Sequence, residues 1–239
     1  MIKFYQFACS KKAKVSNYSP FCLKLETYLR ATKTPHKVIS PKGNPTKNAP
    51  KGKLPYIEDG DTKIGDSELI IDYLKKSYAI DADSHLSVEQ KHQVWVYKKL
   101  AEDSLGWVML YYRWVDNRYW RHNKTILFGK LPTVLNNIIP GIVRKGVLKT
   151  AHYHGISRHT NEEIENIARK GIASIASFLG NDKYFFGEKF SSLDAVMYGM
   201  LAQFSRTDIN PPLCSLVQDY PNLINYLTRM TEEYFPERV

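Results

Sequence analysis

Residues 53–74, KLPYIEDGDTKIGDSELIIDYL, decide how this chain is read. Leu54 to Glu58 and Thr62 to Ile64 predict two β-strands, joined by Asp59-Gly60, a dipeptide that suits the left-handed backbone of a tight hairpin. A helix then opens at Asp66-Ser67, two residue types whose side-chain oxygens cap free N–H groups. It runs to Ser77 and is expected to bury Leu69, Ile70, Tyr73 and Leu74. Free N–H groups at such a helix start also bind carboxylates, so Asp66-Ser67 reads either as a plain cap or as part of an anion site.

Toward the N-terminus, Ile2 to Phe7 alternates and is rich in β-formers. A polar loop with Lys11, Lys12 and Lys14 follows through Tyr18. Ser19-Pro20 starts a helix, because Ser caps well and Pro suits the first helical position, and Phe21, Leu25, Tyr28 and Leu29 form its apolar face. His36 to Ile39 is a further strand, and the Pro- and Gly-rich residues 41–52 permit only a short helix. The order to this point is β-α-β-(α)-β-β-α.

Toward the C-terminus a linker, residues 79–86, precedes a region without strand signals. Helical periods run through 87–115, 161–179, 192–206 and 215–235. Pro132, Pro140 and glycines interrupt 117–160, where one or two irregular helices are expected. The fold class is therefore α/β plus all-α, with one domain over residues 1–79 and an all-helical domain over 87–239.

Hydrophobic residues make up 43% of the 239, as in a globular core. No apolar run reaches the length of a membrane span, and MIKFYQF carries no secretory pattern. Cys9, Cys22 and Cys214 form no even set and no metal-ligand spacing, so a reducing, cytoplasmic setting is expected. The net charge of +10 is segregated. Residues 1–57 carry 12 Lys/Arg and one acid, and residues 117–161 carry eight and none. A solvated basic surface accounts for this. No nucleic-acid-binding signature accompanies it, and weak contact with a membrane surface or a protein partner stays open.

The strings SPFCLKLETYLR at 19–30, KGKLPYIEDG at 51–60, DSELIIDYL at 66–74, GISRH at 155–159, SSLDAVMYG at 191–199 and YPNLINYLTRM at 220–230 resemble the glutathione transferase superfamily. Within it they resemble the branch that includes the failed-axon-connections protein and the metaxins. The resemblance spans nearly the whole chain. It implies a thioredoxin-like N-terminal domain that holds glutathione as co-substrate, a helical C-terminal domain, and a homodimer. It further implies that Pro55 is cis, with the backbone of Leu54 turned out to pair with the cysteinyl part of the tripeptide. Ser67 would hold the γ-glutamyl carboxylate and Asp66 the ammonium. Lys53 would approach the glycyl carboxylate, unless it is simply solvated.

Ser19 stands where that fold places its reactive group. A hydroxyl there donates a hydrogen bond to a bound thiolate and so favours the charged form; it also serves as an ordinary cap, and Tyr18 is a rival donor. SPFC is a CxxC motif with its first Cys replaced, which leaves Cys22 as a small buried residue and weakens a thiol-reductase reading. Trp107, Tyr111 and Trp114 fall at i, i+4, i+7, as core or as the lining of a pocket for a small hydrophobic electrophile. His152, His154 and His159 lack acidic or Cys companions, so no metal site is expected. Ser191-x-x-Asp194 reads as a structural capping box, with Asp194 accepting the cap's N–H. The function expected is glutathione binding, with conjugation to hydrophobic electrophiles. A metaxin-like, non-catalytic interaction protein is the alternative, and a glutathione-dependent thiol reductase the weaker one.

Overall fold

The computed structural model describes all of the chain except residues 11, 12, 130, 208 and 210 and the side chain of 211. Lys11 and Lys12 of the polar loop therefore lie outside the described residues.

Four short strands, β1 (Ile2–Tyr5), β2 (His36–Ile39), β3 (Tyr56–Asp59) and β4 (Thr62–Gly65), form one sheet in the order β2-β1-β3-β4. β1 and β2 are parallel, so a crossover must join them, and α1 (Pro20–Ala31) supplies it. β3 pairs antiparallel with both β1 and β4. Asp59 pairs with Thr62, so the turn residues are Gly60-Asp61 and not the predicted Asp59-Gly60. Gly60 takes the positive φ (58°), while the Asp59 carboxylate accepts from Tyr73 and Tyr78. β1 stops two residues short of Phe7, where the Asn17 side chain, not a neighbouring strand, takes the Phe7 carbonyl.

Ser19 caps α1 and Pro20 opens it, as read from sequence. Its buried face is Cys22, Leu25, Tyr28 and Leu29; Phe21 is exposed. The stripe is shifted because α1 packs between the sheet and a later helix. α2 (Ser67–Tyr78) likewise buries Ile70, Ile71 and Leu74 and leaves Leu69 outside, with Tyr73 half-buried. Ala79 ends α2 in the left-handed region at φ 55°.

The linker does not hang loose. The Asp83 carboxylate accepts from Lys75 Nζ at 3.0 Å and from the N–H and hydroxyl of Ser192, both at 2.7 Å. A capping box at Ser87 then starts α3 (Val88–Lys99). The predicted 87–115 helix is interrupted by two π-helical turns, Leu100–Leu105 and Tyr111–Val115, which flank α4 (Gly106–Leu110). α5 (Asn117–Phe128) and α6 (Thr133–His154) fill the irregular stretch as a hairpin, α6 continuing through a buried Pro140. α7 (Asn161–Leu179), α8 (Ser192–Ser205), α9 (Pro211–Gln218) and α10 (Pro221–Tyr234) complete the helical region. Tyr220-Pro221 splits the predicted 215–235 helix in two, as the residue before a Pro leaves the α region.

Two cores result. One joins the sheet to α1 and α2; the larger surrounds α8, which is buried along nearly its whole length. α1 and α8 approach so closely at Gly199 that a Cβ there would stand 2.7 Å from the Pro20 carbonyl and 2.9 Å from the Lys24 nitrogen. This contact fixes the start of α1 against the helical region. Among the described residues no helix is long and apolar enough to cross a membrane.

Candidate functional site

Three backbone features named from sequence meet in one place: the start of α1, the residues before β3 and the start of α2. Cys22, in the first turn of α1, packs with Leu54 and Tyr56. The Asp66 N–H donates to the Pro55 carbonyl at 3.3 Å. Leu54-Pro55 is cis, as the resemblance implied.

The polar groups at this junction are unevenly satisfied. Asp66 has φ 89° and ψ 123°, a conformation that L-residues seldom adopt and that clusters at ligand clamps. Its carboxylate is exposed and accepts from the Glu68 N–H at 2.9 Å. Ser67 is 5% exposed, yet its hydroxyl and its N–H take no partner among the described residues. The Leu54 N–H and carbonyl also take none among them. The Ser67 oxygen still meets solvent, and a free N–H is ordinary at a helix start. Unpaired donors at a helix start, beside an unpaired strand-like residue, form a cradle for an extended peptide that carries a carboxylate. Lys53 is exposed at its rim.

Ser19 is half-buried. Its oxygen accepts from the Cys22 N–H at 3.4 Å, and its own N–H donates to Asn17 Oδ1 at 2.9 Å. The hydroxyl also hydrogen-bonds the Cys22 sulfur, so donation to a ligand has to compete with that contact. Cys22 is fully buried, and burial pushes its thiol up to about 12 against the opposing hydrogen bond to Ser19. Such a thiol is a packing group and not a nucleophile.

The loop before Ser19 is held by residues that sequence reasoning did not single out. Buried Asn17 donates to Gln6 Oε1 at 3.1 Å and to the Phe7 carbonyl at 2.7 Å. Gln203 of α8 donates to the Asn17 carbonyl at 2.8 Å, and Arg113 donates to Gln203 Oε1 at 2.8 Å and to the Tyr18 carbonyl at 2.7 Å. Burial lowers the Arg113 guanidinium to about 9. The Asn17 and Tyr18 carbonyls are thus both held by the helical region. Below Ser67, Lys24 is buried between Glu68 at 3.0 Å and Glu102 at 2.8 Å, and Lys98 also reaches Glu68. Burial pushes the Glu68 carboxyl up, but the two lysines outweigh it and hold it down to about 2. A lysine at a buried position of SPFCLKLETYLR was the signal for this cluster.

The predicted aromatic stripe does not stay together, since π-helical turns add residues per turn and rotate i, i+4, i+7 off one face. Trp107 stacks on His154 with ring centres 3.7 Å apart, in a cleft of about 510 Å³ lined also by Asp103, Arg158 and Ile167. Neither Ser19, Leu54, Pro55, Asp66 nor Ser67 lines that cleft. Tyr111 is core, its hydroxyl donating to Asn161 Oδ1 at 2.8 Å. Trp114 packs on Trp120 and Phe128. His159 lies 3.4 Å from Glu163, and among the described residues no three His, Cys, Asp or Glu converge as a metal-ligand set. Asp194 behaves as read: Oδ2 accepts from the Ser191 N–H at 2.8 Å and hydroxyl at 2.7 Å, and Oδ1 from the Phe185 N–H at 3.0 Å.

The family model described as the glutathione S-transferase N-terminal domain matches residues 20–119, and the glutathione S-transferase C-terminal domain matches residues 168–230. Isoprene-epoxide–glutathione S-transferase of Rhodococcus sp. (strain AD45) is 32% identical over 190 residues, covering 78% of this chain and 80% of that protein. Failed axon connections of Drosophila melanogaster is 31% identical over 99% of this chain, which spans 59% of that protein's length. Human metaxin-2 is 25% identical over 90% of this chain and 82% of its own. A glutathione S-transferase of Ceriporiopsis subvermispora, solved in complex with glutathione, superposes with a TM-score of 0.60 at 19% identity, over 97% of each chain. At that identity the likeness is one of fold.

Proposed function

The chain belongs to the glutathione S-transferase family, and we propose that it binds glutathione at the junction of α1, β3 and α2 and joins the tripeptide's sulfur to a small hydrophobic electrophile. The observation that carries this reading is the start of α2, where the Ser67 hydroxyl and N–H have no partner among the described residues and the hydroxyl still meets solvent, next to Leu54, whose backbone groups have none either. Leu54 pairs with the cysteinyl backbone as one added strand would. Ser67 donates twice to the γ-glutamyl carboxylate, at the positive end of α2. The exposed Asp66 carboxylate receives the ammonium, and Lys53 meets the glycyl carboxylate.

Ser19 donates its hydroxyl proton as a hydrogen bond to the ligand sulfur, lowering that thiol's pKa. The nucleophile belongs to the co-substrate, so the protein contributes thiolate stabilisation and proximity. The sulfur forms a bond to the electrophilic carbon as the leaving group departs. With an epoxide, the C–O bond opens and the alkoxide takes a proton from water. The name of the Rhodococcus relative makes epoxides the first electrophile class to try. Cytoplasmic residence and a homodimer belong to the same proposal; Leu69 of α2 and Trp95 and Val96 of α3 are exposed apolar residues suited to a dimer contact.

The test is conjugation assayed with a small alkyl epoxide and an activated aryl halide. Glutathione-dependent turnover of either, lost in Ser19→Ala, is expected. Wild-type protein that binds glutathione yet turns over neither would reduce the reading to a binding protein.

The likeness to metaxin-2 over 90% of the chain favours a second reading, a non-catalytic interaction protein that keeps the fold. It predicts no saturable glutathione binding. The thiol-reductase reading needs a reactive Cys22 or Cys9, and Cys22 does not support it, because it is buried and its thiol is held protonated; the half-buried Cys9 is the thiol left to carry it.

A further inference from the structure

α6 leaves most of its apolar residues outside the core. Among the 22 residues of α6, only Pro140 and Ala151 are buried. Val134, Leu135, Ile138 and Ile142 are 71%, 44%, 53% and 67% exposed. At ~100° per residue these four lie within one arc of about 100°, and Lys145, Lys149 and Tyr153 fall in the same arc farther along the helix. All three of the latter are exposed, and Lys149 Nζ lies 5.7 Å from the Tyr153 ring centre.

The rotation of α6 is fixed by another side chain. Arg144 donates to the Trp114 carbonyl at 2.8 Å, the Val115 carbonyl at 3.1 Å and Asn117 Oδ1 at 2.6 Å, and its guanidinium sits 4.7 Å from the Trp120 ring centre. The apolar stripe must then face away from the body. Exposed branched residues in a row are costly in water unless something covers them.

The charge around the stripe selects the cover. α6 carries no Asp or Glu, and the exposed Lys145 and Lys149 continue its exposed arc. A nucleic acid would meet the basic groups but leave four aliphatic side chains against phosphate. A bilayer surface meets both: the aliphatic residues enter the headgroup–acyl boundary, and the lysines extend to anionic headgroups. We propose that the exposed face of α6 docks the protein onto a membrane surface that carries anionic lipid, with the helix lying in the interface plane and not crossing it.

The test is sedimentation of the full chain with vesicles of phosphatidylcholine alone and of phosphatidylcholine with about one-third phosphatidylserine, at physiological and at high salt. Binding to the anionic vesicles only, released by high salt, is expected. Ile138→Asp with Ile142→Asp should weaken it by at least ~10-fold, and Lys145→Glu with Lys149→Glu by roughly 30-fold. Both pairs are exposed, so thermal midpoints should stay at the wild-type value, which separates lost docking from lost folding. Absent binding to anionic vesicles, equal binding to the neutral ones, or variants that bind like wild type would each overturn the proposal. So would an Ile138/Ile142 variant that turns a dimer into a monomer by light scattering while vesicle binding is unchanged, since the stripe would then be a contact between copies.

Discussion

The starts of α2 and α8 both combine serine with aspartate, and they use those residues differently. At the start of α8 every such group is buried and matched: Ser191 N–H and hydroxyl on Asp194, Ser192 N–H and hydroxyl on Asp83, and Asp194 also taking the Phe185 N–H. At the start of α2 the carboxylate of Asp66 is exposed, and the Ser67 hydroxyl and N–H are unmatched among the described residues. The first is a piece of scaffold; the second is where the proposed ligand would complete the hydrogen bonds. What separates them is not residue type but whether the fold itself completes the hydrogen bonds.

The comparison is tested hardest at Asp194. Asp194→Ala orphans three donors, the Phe185 N–H and the Ser191 N–H and hydroxyl, while the Tyr226 hydroxyl keeps the residue-194 carbonyl at 3.0 Å, and it should cost about 4 kcal/mol by urea unfolding. A loss below about 1 kcal/mol would show that α8 does not depend on this box.

The two helix starts should also respond to pH in opposite senses. Burial raises the Asp194 carboxyl to about 6, above its unfolded value of 3.8, so the folded state holds the proton more tightly in between. Its share of stability is greatest below pH ~4 and falls as pH rises to ~6, by up to about 3 kcal/mol. Glu68, next to Ser67, is held down to about 2 from 4.5, so its contribution is complete above pH 4.5 and lost as pH falls toward 2. Urea midpoints against pH should show Glu68→Gln losing the acid-side decline and Asp194→Ala losing the decline between ~4 and ~6. Parallel profiles for the two variants would erase the contrast.

At α2 the expected effect is on binding and not on folding. Ser67→Ala should weaken glutathione affinity about tenfold and move the unfolding free energy by less than ~0.5 kcal/mol. Ser19→Ala is the mixed case. Loss of the cap should cost about 1 kcal/mol of stability, and loss of the thiolate donor should lower kcat by about a hundredfold. A stability loss with turnover intact would make Ser19 a cap alone and pass the donor role to Tyr18.

What was legible in the sequence follows the same division between local and distant causes. Pro55, the Gly60 turn region, the caps at Ser19 and Asp66 and the box at Ser191 are set by neighbours within a few residues, so their pattern identified them. The exceptions are small shifts, such as the turn moving to Gly60-Asp61 and Phe21 and Leu69 ending outside. The clamps are distant in sequence: Arg113 on Tyr18, Gln203 on Asn17, Lys24 between Glu68 and Glu102. The packing of α1 against α2, α8 and the two π-helical turns brings such groups together, most closely at Gly199. Of the aromatic stripe, Tyr111 and Trp107 join the core, as one of its two readings had it, while Trp114 packs on Trp120 and Phe128 past a π-helical turn that leaves no mark in an i, i+4, i+7 count.

The central claim is that the unmatched groups of Leu54 and Ser67 are a glutathione site. Calorimetric titration of the purified chain with glutathione at physiological salt tests it most directly. The account predicts saturable one-site binding, with a Kd of about a millimolar or tighter, weakened about tenfold in Ser67→Ala. An absence of saturable binding in the wild type, or identical isotherms for the two proteins, would contradict it and leave the start of α2 as an inherited scaffold.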